Sequence, residues 1–257
     1  MSRSRGTNDL KIVGFGACMI SGYPHKAAGF VEIACRQVEN ALSRPVQSNI
    51  VSLGGFPAPR AEKYLRRKVL KFNPDYVVLQ FGATDAQCPI RTKNRPAQSD
   101  GGGKHSTHGS SGAASEAASY HNKPTNAFSR LRWWLITLIG YCRSIKPITP
   151  LPDYISAIER MVRECQSAGV TAVVLSPFVY GSRYTMKYAK AYTKALHQLR
   201  SVIPTMILID GVELLRKFPK SQVLMHDGFH LSQVGHQIVG EAIANSIIVD
   251  IASFGVL

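Results

Sequence analysis

Near the C-terminus, Asp227-Gly-Phe-His230 sets a carboxylate and an imidazole three residues apart. Leu231-Ser232-Gln233-Val234-Gly235-His236 and an apolar helical run follow. An Asp at this spacing can orient the ring, and His230 can then act as general base. Such a pair needs a nucleophile, whose usual place is the turn after the first strand. That turn reads Gly14-Phe15-Gly16-Ala17-Cys18-Met19-Ile20-Ser21-Gly22. Cys18 stands at the strand exit, where a helix N-terminus would offer partial positive charge. A neighbouring His would favour the thiolate further, and a thiol paired with a base is a competent acyl-transfer nucleophile. Free cysteines are commonly buried and inert; the Asp-x-x-His pair is what weights Cys18 toward chemistry. Ser21 is the alternative nucleophile, with support of the turn as its other role.

These residues need a scaffold that brings both ends of the chain together, and the pattern supplies one. Leu10 to Phe15, Asn49 to Leu53, Tyr76 to Phe81, Val170 to Leu175 and Thr205 to Ile209 read as short buried strands. Between and after them, Pro24–Leu42, Arg60–Lys71, Asp153–Gly169, Tyr184–Val202, Gly211–Phe218 and Ser232–Ile251 read as helices. Ser232 fits the N-cap of the last one. Strand–helix alternation argues for a parallel sheet covered by helices, a flavodoxin-like three-layer α/β/α domain. Ligands in such sheets sit beyond the C-terminal strand ends. Three of the candidate segments follow strands and the fourth precedes the last helix, so all can reach one cleft.

The alternation breaks at residues 86–150, which read as an insertion within a single domain of residues 1–257. Thr92–Asn126 is rich in Gly, Ser, Ala, Asn and His and reads as a mobile loop. Phe128–Cys142 reads as an apolar helix capping the site. Its core from Trp133 is too short to span a membrane, though it could lie on a membrane surface.

Two further segments complete a set: Ser52-Leu53-Gly54-Gly55 after the second strand and Gly82-Ala83-Thr84-Asp85 after the third. Together the four segments resemble the SGNH (GDSL-type) hydrolase family, in which a Gly-Asp-Ser turn opens the chain and Asp-x-x-His closes it. The resemblance spans Leu10 to about Ile247, apart from the insertion. Gly16-Ala17-Cys18 occupies the Gly-Asp-Ser slot, and Thr84 stands where the family has Asn. The resemblance implies the SGNH fold and acyl-ester hydrolysis, esterase- or lipase-like, or acyl transfer. It implies a catalytic set of Cys18, His230 and Asp227, with no cofactor and no metal. The oxyanion hole it implies uses the backbone N–H groups of Cys18 and Gly55, with Gly54 the neighbouring choice, and the Thr84 side chain. A hydroxyl is shorter than an amide, so this hole is reshaped or weaker. Asp85 is expected to tie its own turn together. His226 and His236 are read as surface or supporting residues.

Composition narrows the classes. The chain has 257 residues, 45% hydrophobic, enough for one sizeable core. Five cysteines without metal-ligand spacing fit a reducing compartment and no zinc site. Gly14-Phe-Gly16 lacks the rest of a dinucleotide fingerprint. The N-terminus has a basic start but no separate apolar stretch or cleavage site, so a cytoplasmic protein is expected. The net charge of +15 would attract anionic substrates, nucleic acid or acidic membranes. No nucleic-acid-binding motif accompanies it, so no specific nucleic-acid partner is expected. The expected substrate is a small ester or an acylated carbohydrate, with peripheral contact to anionic surfaces open. Two alternatives remain: a catalytically impaired protein of this fold that binds an acylated, carbohydrate or anionic ligand, and a basic docking module.

Overall fold

Five strands form one all-parallel sheet in the order β2-β1-β3-β4-β5. They are β1 (Leu10–Gly16), β2 (Val46–Ser52), β3 (Tyr76–Gln80), β4 (Thr171–Leu175) and β5 (Ile207–Ile209). This computed structural model describes residues 9–23, 28–87, 146–178 and 183–253. The expected loop at 92–126 and helix at 128–142 lie outside the described residues.

The central strands are near-continuous apolar runs because both faces are covered. Every residue of β3 is buried, whereas edge strand β2 has only half-buried and exposed residues. On one face, α1 (Phe30–Leu42) and α7 (Gln233–Ser253) pack on Ile12, Val78 and Val173. On the other, α2 (Ala58–Glu62), α3 (Leu151–Ser167) and α4 (Arg183–Val202) enclose Val13, Phe15, Val77 and Leu79. Two short helices, α5 (Gly211–Leu215) and α6 (Lys220–Val223), lead from β5 to α7. Among the described residues, no helix is long and apolar enough to cross a membrane.

The flavodoxin-like three-layer arrangement read from the sequence is thus observed, with local differences. β2 starts at Val46, three residues before the expected strand, because parallel pairing with β1 carries it back to Leu10↔Val46. α1 starts at Phe30, where Gly29 is the N-cap and its N–H donates to Glu32 Oε2 at 2.8 Å. The basic stretch Arg60–Lys71 is not one α-helix: α2 gives way to a π turn at Leu65–Val69 and a 3-10 turn at Leu70–Phe72. Leu65 and Val69 are both fully buried in the π turn. Helix α6 was not foreseen; it is only four residues long, too short for periodicity to register.

Candidate active site

The first turn is held from both neighbouring strands. β1 pairs Gly16 with Ser52 on β2 and with Gln80 on β3. Leu53 N–H donates to Gly16 O at 2.9 Å, Ala17 N–H to Gln80 O at 3.2 Å, and Ser52 Oγ to Ala17 O at 3.1 Å. A Cβ on Gly16 would lie 2.5 Å from Gln80 O, so the backbones approach this closely only with glycine. Cys18 then opens a single 3-10 turn, Cys18–Ser21, anchored by buried Met19 and Ile20. Gly22 ends the turn at φ 76°, in the left-handed region. Ser21 Oγ donates to Cys18 O at 2.8 Å on the exposed side, the turn-supporting role.

The second half of the site is a loop between α6 and α7, closed by a bridge between Leu224 and Leu231. Asp227 does two jobs in it. Its Oδ1 accepts the backbone N–H groups of Phe229 at 2.8 Å and His230 at 3.0 Å. Its Oδ2 lies 2.6 Å from His230 Nδ1. The loop therefore preorganises the carboxylate that aligns the ring. Gly228 between them adopts φ 65°. Ser232 caps α7, its Oγ accepting Gly235 N–H at 3.1 Å and donating to Gln222 O at 2.5 Å.

The two halves meet across 212 residues, with Cys18 Sγ 3.5 Å from His230 Nε2. Sγ–Nε2 and Nδ1–Oδ2 thus form one continuous hydrogen-bonded line. Burial and the hydrogen bonds set its electrostatics. Burial pushes the Cys18 thiol up, against the Met19 and Cys18 backbone groups, and the Asp227 charge adds to the rise. The expectation of a favoured thiolate is therefore reversed: a single 3-10 turn offers little helix field, and desolvation wins. Partial burial opposes the Asp227 charge, but the His230 ring and the Phe229 and His230 backbones outweigh it and hold the carboxyl below its usual range. A resting thiol facing an imidazole held by a carboxylate is arranged for proton transfer during attack.

Two aromatic rings frame the imidazole edge-on: Tyr23 at 5.1 Å and Phe229 at 5.0 Å between centroids. Tyr23 gave no signal in the sequence, since nothing in its spacing ties it to His230. The turn after β2 carries Gly54 at φ 56° and an exposed Gly55 with open space beside it. The turn after β3 carries a half-buried Thr84. Both follow the strands that flank β1. Asp85 is fully buried and accepts from Ala58 N at 2.9 Å, Gly82 N at 2.9 Å and Thr149 Oγ1 at 2.8 Å, joining three segments. His226 is exposed, but His236 is not at the surface: it is fully buried and stacks on Phe30 at 5.5 Å, because α7 turns it under α1. Among the described residues, no group of three His, Cys, Asp or Glu is placed to hold a metal ion.

No protein-family model matches the chain, and no curated protein matches it either. Solved structures do. A lipase/acylhydrolase from Enterococcus faecalis is 20% identical with a TM-score of 0.62, over 93% of this chain and 95% of that one. A catalytic mutant of Axe2, an acetylxylan esterase from Geobacillus stearothermophilus, is 12% identical with a TM-score of 0.61, over 94% and 96%. The lipase Lip_vut3 from a goat rumen metagenome is 14% identical with a TM-score of 0.61, over 92% and 97%. At these identities the likeness establishes a shared fold over nearly the full length of both chains.

Proposed function

We propose that this chain, which has the SGNH-hydrolase fold, is an acyl-ester hydrolase working through Cys18, His230 and Asp227. The observation that carries the reading is the unbroken path from Cys18 Sγ through His230, at 3.5 Å, to Asp227, at 2.6 Å. Cys18 Sγ attacks the ester carbonyl while His230 Nε2 takes its proton. Asp227 fixes the Nδ1–H tautomer and stabilises the imidazolium. The oxyanion is met by the backbone N–H groups of Cys18 and Gly55 and by the Thr84 hydroxyl. His230 returns the proton to the departing alkoxide, leaving a thioester on Cys18. Water, activated by the same imidazole, releases the acid; an acceptor hydroxyl in its place gives acyl transfer. The similar structures include lipases and an acetylxylan esterase, so the substrate class proposed is a small ester or an acylated carbohydrate.

The test is intact and peptide mass after exposure to short activated acyl esters. An acyl adduct on Cys18, lost in His230→Ala, is the expected result. An adduct on Ser21 moves the nucleophile and keeps the class. A second reading, retention of the fold for binding an acylated or carbohydrate ligand without turnover, draws support from the burial-raised thiol of Cys18. It predicts no adduct and no turnover, with saturable ligand binding intact.

A further inference from the structure

The two helix layers carry opposite charge. The segment 58–72 holds six cations and one acid, α3 two cations and three acids, and α4 five cations and no acid, a net +9. On the other face of the sheet, α1 and α7 together hold one cation and four acids, a net −3. Helices α2 and α4 flank α3 on one layer, so the charge spreads over a broad face.

Within that layer, Ala58, Ala61, Leu65 and Val69 are buried toward the sheet, while Arg60, Lys63, Arg67, Lys68 and Lys71 are exposed. Lys187, Lys190 and Lys194 are likewise exposed on α4. The acids of the layer do little to cancel these. Glu62 binds Arg160 at 2.6 Å, Glu164 binds Arg66 at 2.9 Å and Glu159 binds Arg163 at 2.8 Å. Among the described residues, no ion pair reaches Lys63, Arg67, Lys68 or Lys71. Aromatic rings interleave with the cations: Arg60 lies 4.0 Å over Phe56, Lys71 4.9 Å over Phe72, and Lys68 5.3 Å over Tyr64.

We propose that this face, the outer side of the 58–72 segment and α4, docks the protein electrostatically on an anionic lipid bilayer. Three features select that partner. A cationic face spread over the 58–72 segment and α4, on either side of α3, suits a plane of mobile anionic headgroups. The apolar side of the amphipathic segment is spent on the core, so attachment is by charge rather than by insertion. Phe56, Tyr64 and Phe72 each have a cation on the ring, so they are not open platforms for stacking bases, as a single-stranded nucleic acid would need.

The experiment is sedimentation of the full chain with vesicles, either pure phosphatidylcholine or phosphatidylcholine with a one-third share of phosphatidylglycerol. At about 0.1 M salt, where the Debye length is roughly 10 Å, binding is expected to the anionic vesicles only, with release by about 1 M salt. Each cation contributes about fivefold, so the combined variant Lys63→Ala, Arg67→Ala, Lys71→Ala weakens binding on the order of 100-fold. The control variant Arg36→Ala, Arg216→Ala, Lys217→Ala removes equal charge elsewhere and stays within about threefold of the parent. Thermal unfolding of both variants verifies that they are folded. Equal loss in the two variants overturns the assignment to this face. Failure of the parent to bind anionic vesicles overturns the proposal outright. Tighter binding of single- or double-stranded DNA than of vesicles, lost in the first variant, overturns the lipid partner. None of these readings depends on ester turnover, so each stands apart from the catalytic assignment.

Discussion

Cys18 holds a neutral thiol whose reactivity is borrowed from its neighbour. Burial raises it above the ordinary 9.0, so direct alkylation of the parent by iodoacetamide should show a pH midpoint above that value. Acylation of Cys18 by an activated ester should instead depend on His230 and be lost in His230→Ala. Asp227→Asn leaves an acceptor for the Phe229 and His230 N–H groups but favours the wrong ring tautomer, so turnover should fall about 10²–10⁴-fold with the fold kept. The lowered Asp227 carboxyl also links to stability. Its contribution is present above the ordinary value of 3.8 and disappears as pH falls through the lower folded value. The difference in thermal midpoint between the parent and Asp227→Asn should therefore shrink in acid below that range. Ser21 donates its hydroxyl to the Cys18 carbonyl at 2.8 Å, so Ser21→Ala should change turnover by less than about tenfold.

At the scale of elements, glycines and caps decide whether strand ends and helices come close enough to build the site. A Cβ on Gly235 would lie 2.3 Å from Val223 O, which would lever the first turn of α7 away from α6. Gly235→Ala should cost about 1–3 kcal/mol, read from chemical denaturation, and should lower turnover as well, since the loop bearing His230 spans those two helices. Ser232→Ala removes the α7 cap and should cost about 1 kcal/mol. Asp85 is costlier to lose. Burial raises its carboxyl despite the bonds from Thr149, Ala58 and Gly82, and Asp85→Ala strands three buried donors. A loss on the order of 3 kcal/mol or more is expected.

For the whole molecule, the excess of charge on one layer makes self-repulsion the leading long-range electrostatic effect. The ion pairs Arg66–Glu164, Arg160–Glu62 and Arg163–Glu159 involve exposed arginines, and such pairs contribute little each. Screening should thus relieve more repulsion than attraction. The thermal midpoint should rise between about 0.01 M and 0.15 M sodium chloride, as the Debye length shortens from roughly 30 Å to 8 Å. A fall would mean that the exposed ion pairs outweigh the net charge.

Local sequence determined the strands and the layer count and marked three candidate catalytic residues, because these readings depend on short-range pattern. The apolar run Tyr76–Gln80 has to be a buried strand wherever it sits, and Asp227-x-x-His230 brings its carboxylate to its own imidazole within one loop. Even the Ser232 cap is local. What the sequence left open is decided by contacts between distant segments. The broken geometry of Arg60–Lys71, a π turn and a 3-10 turn after α2, is not written in its periodicity, which reads as a plain helix. The burial of His236 follows from α7 lying on α1, and the approach of Tyr23 to His230 from the first turn meeting the last loop. The state of Cys18 belongs to the same class: its pattern suggests a thiolate, but the desolvation that raises it comes from packing around the turn. Proximity along the chain is written in residue order, whereas dielectric environment and contact across 212 residues exist only once the sheet has closed the distance.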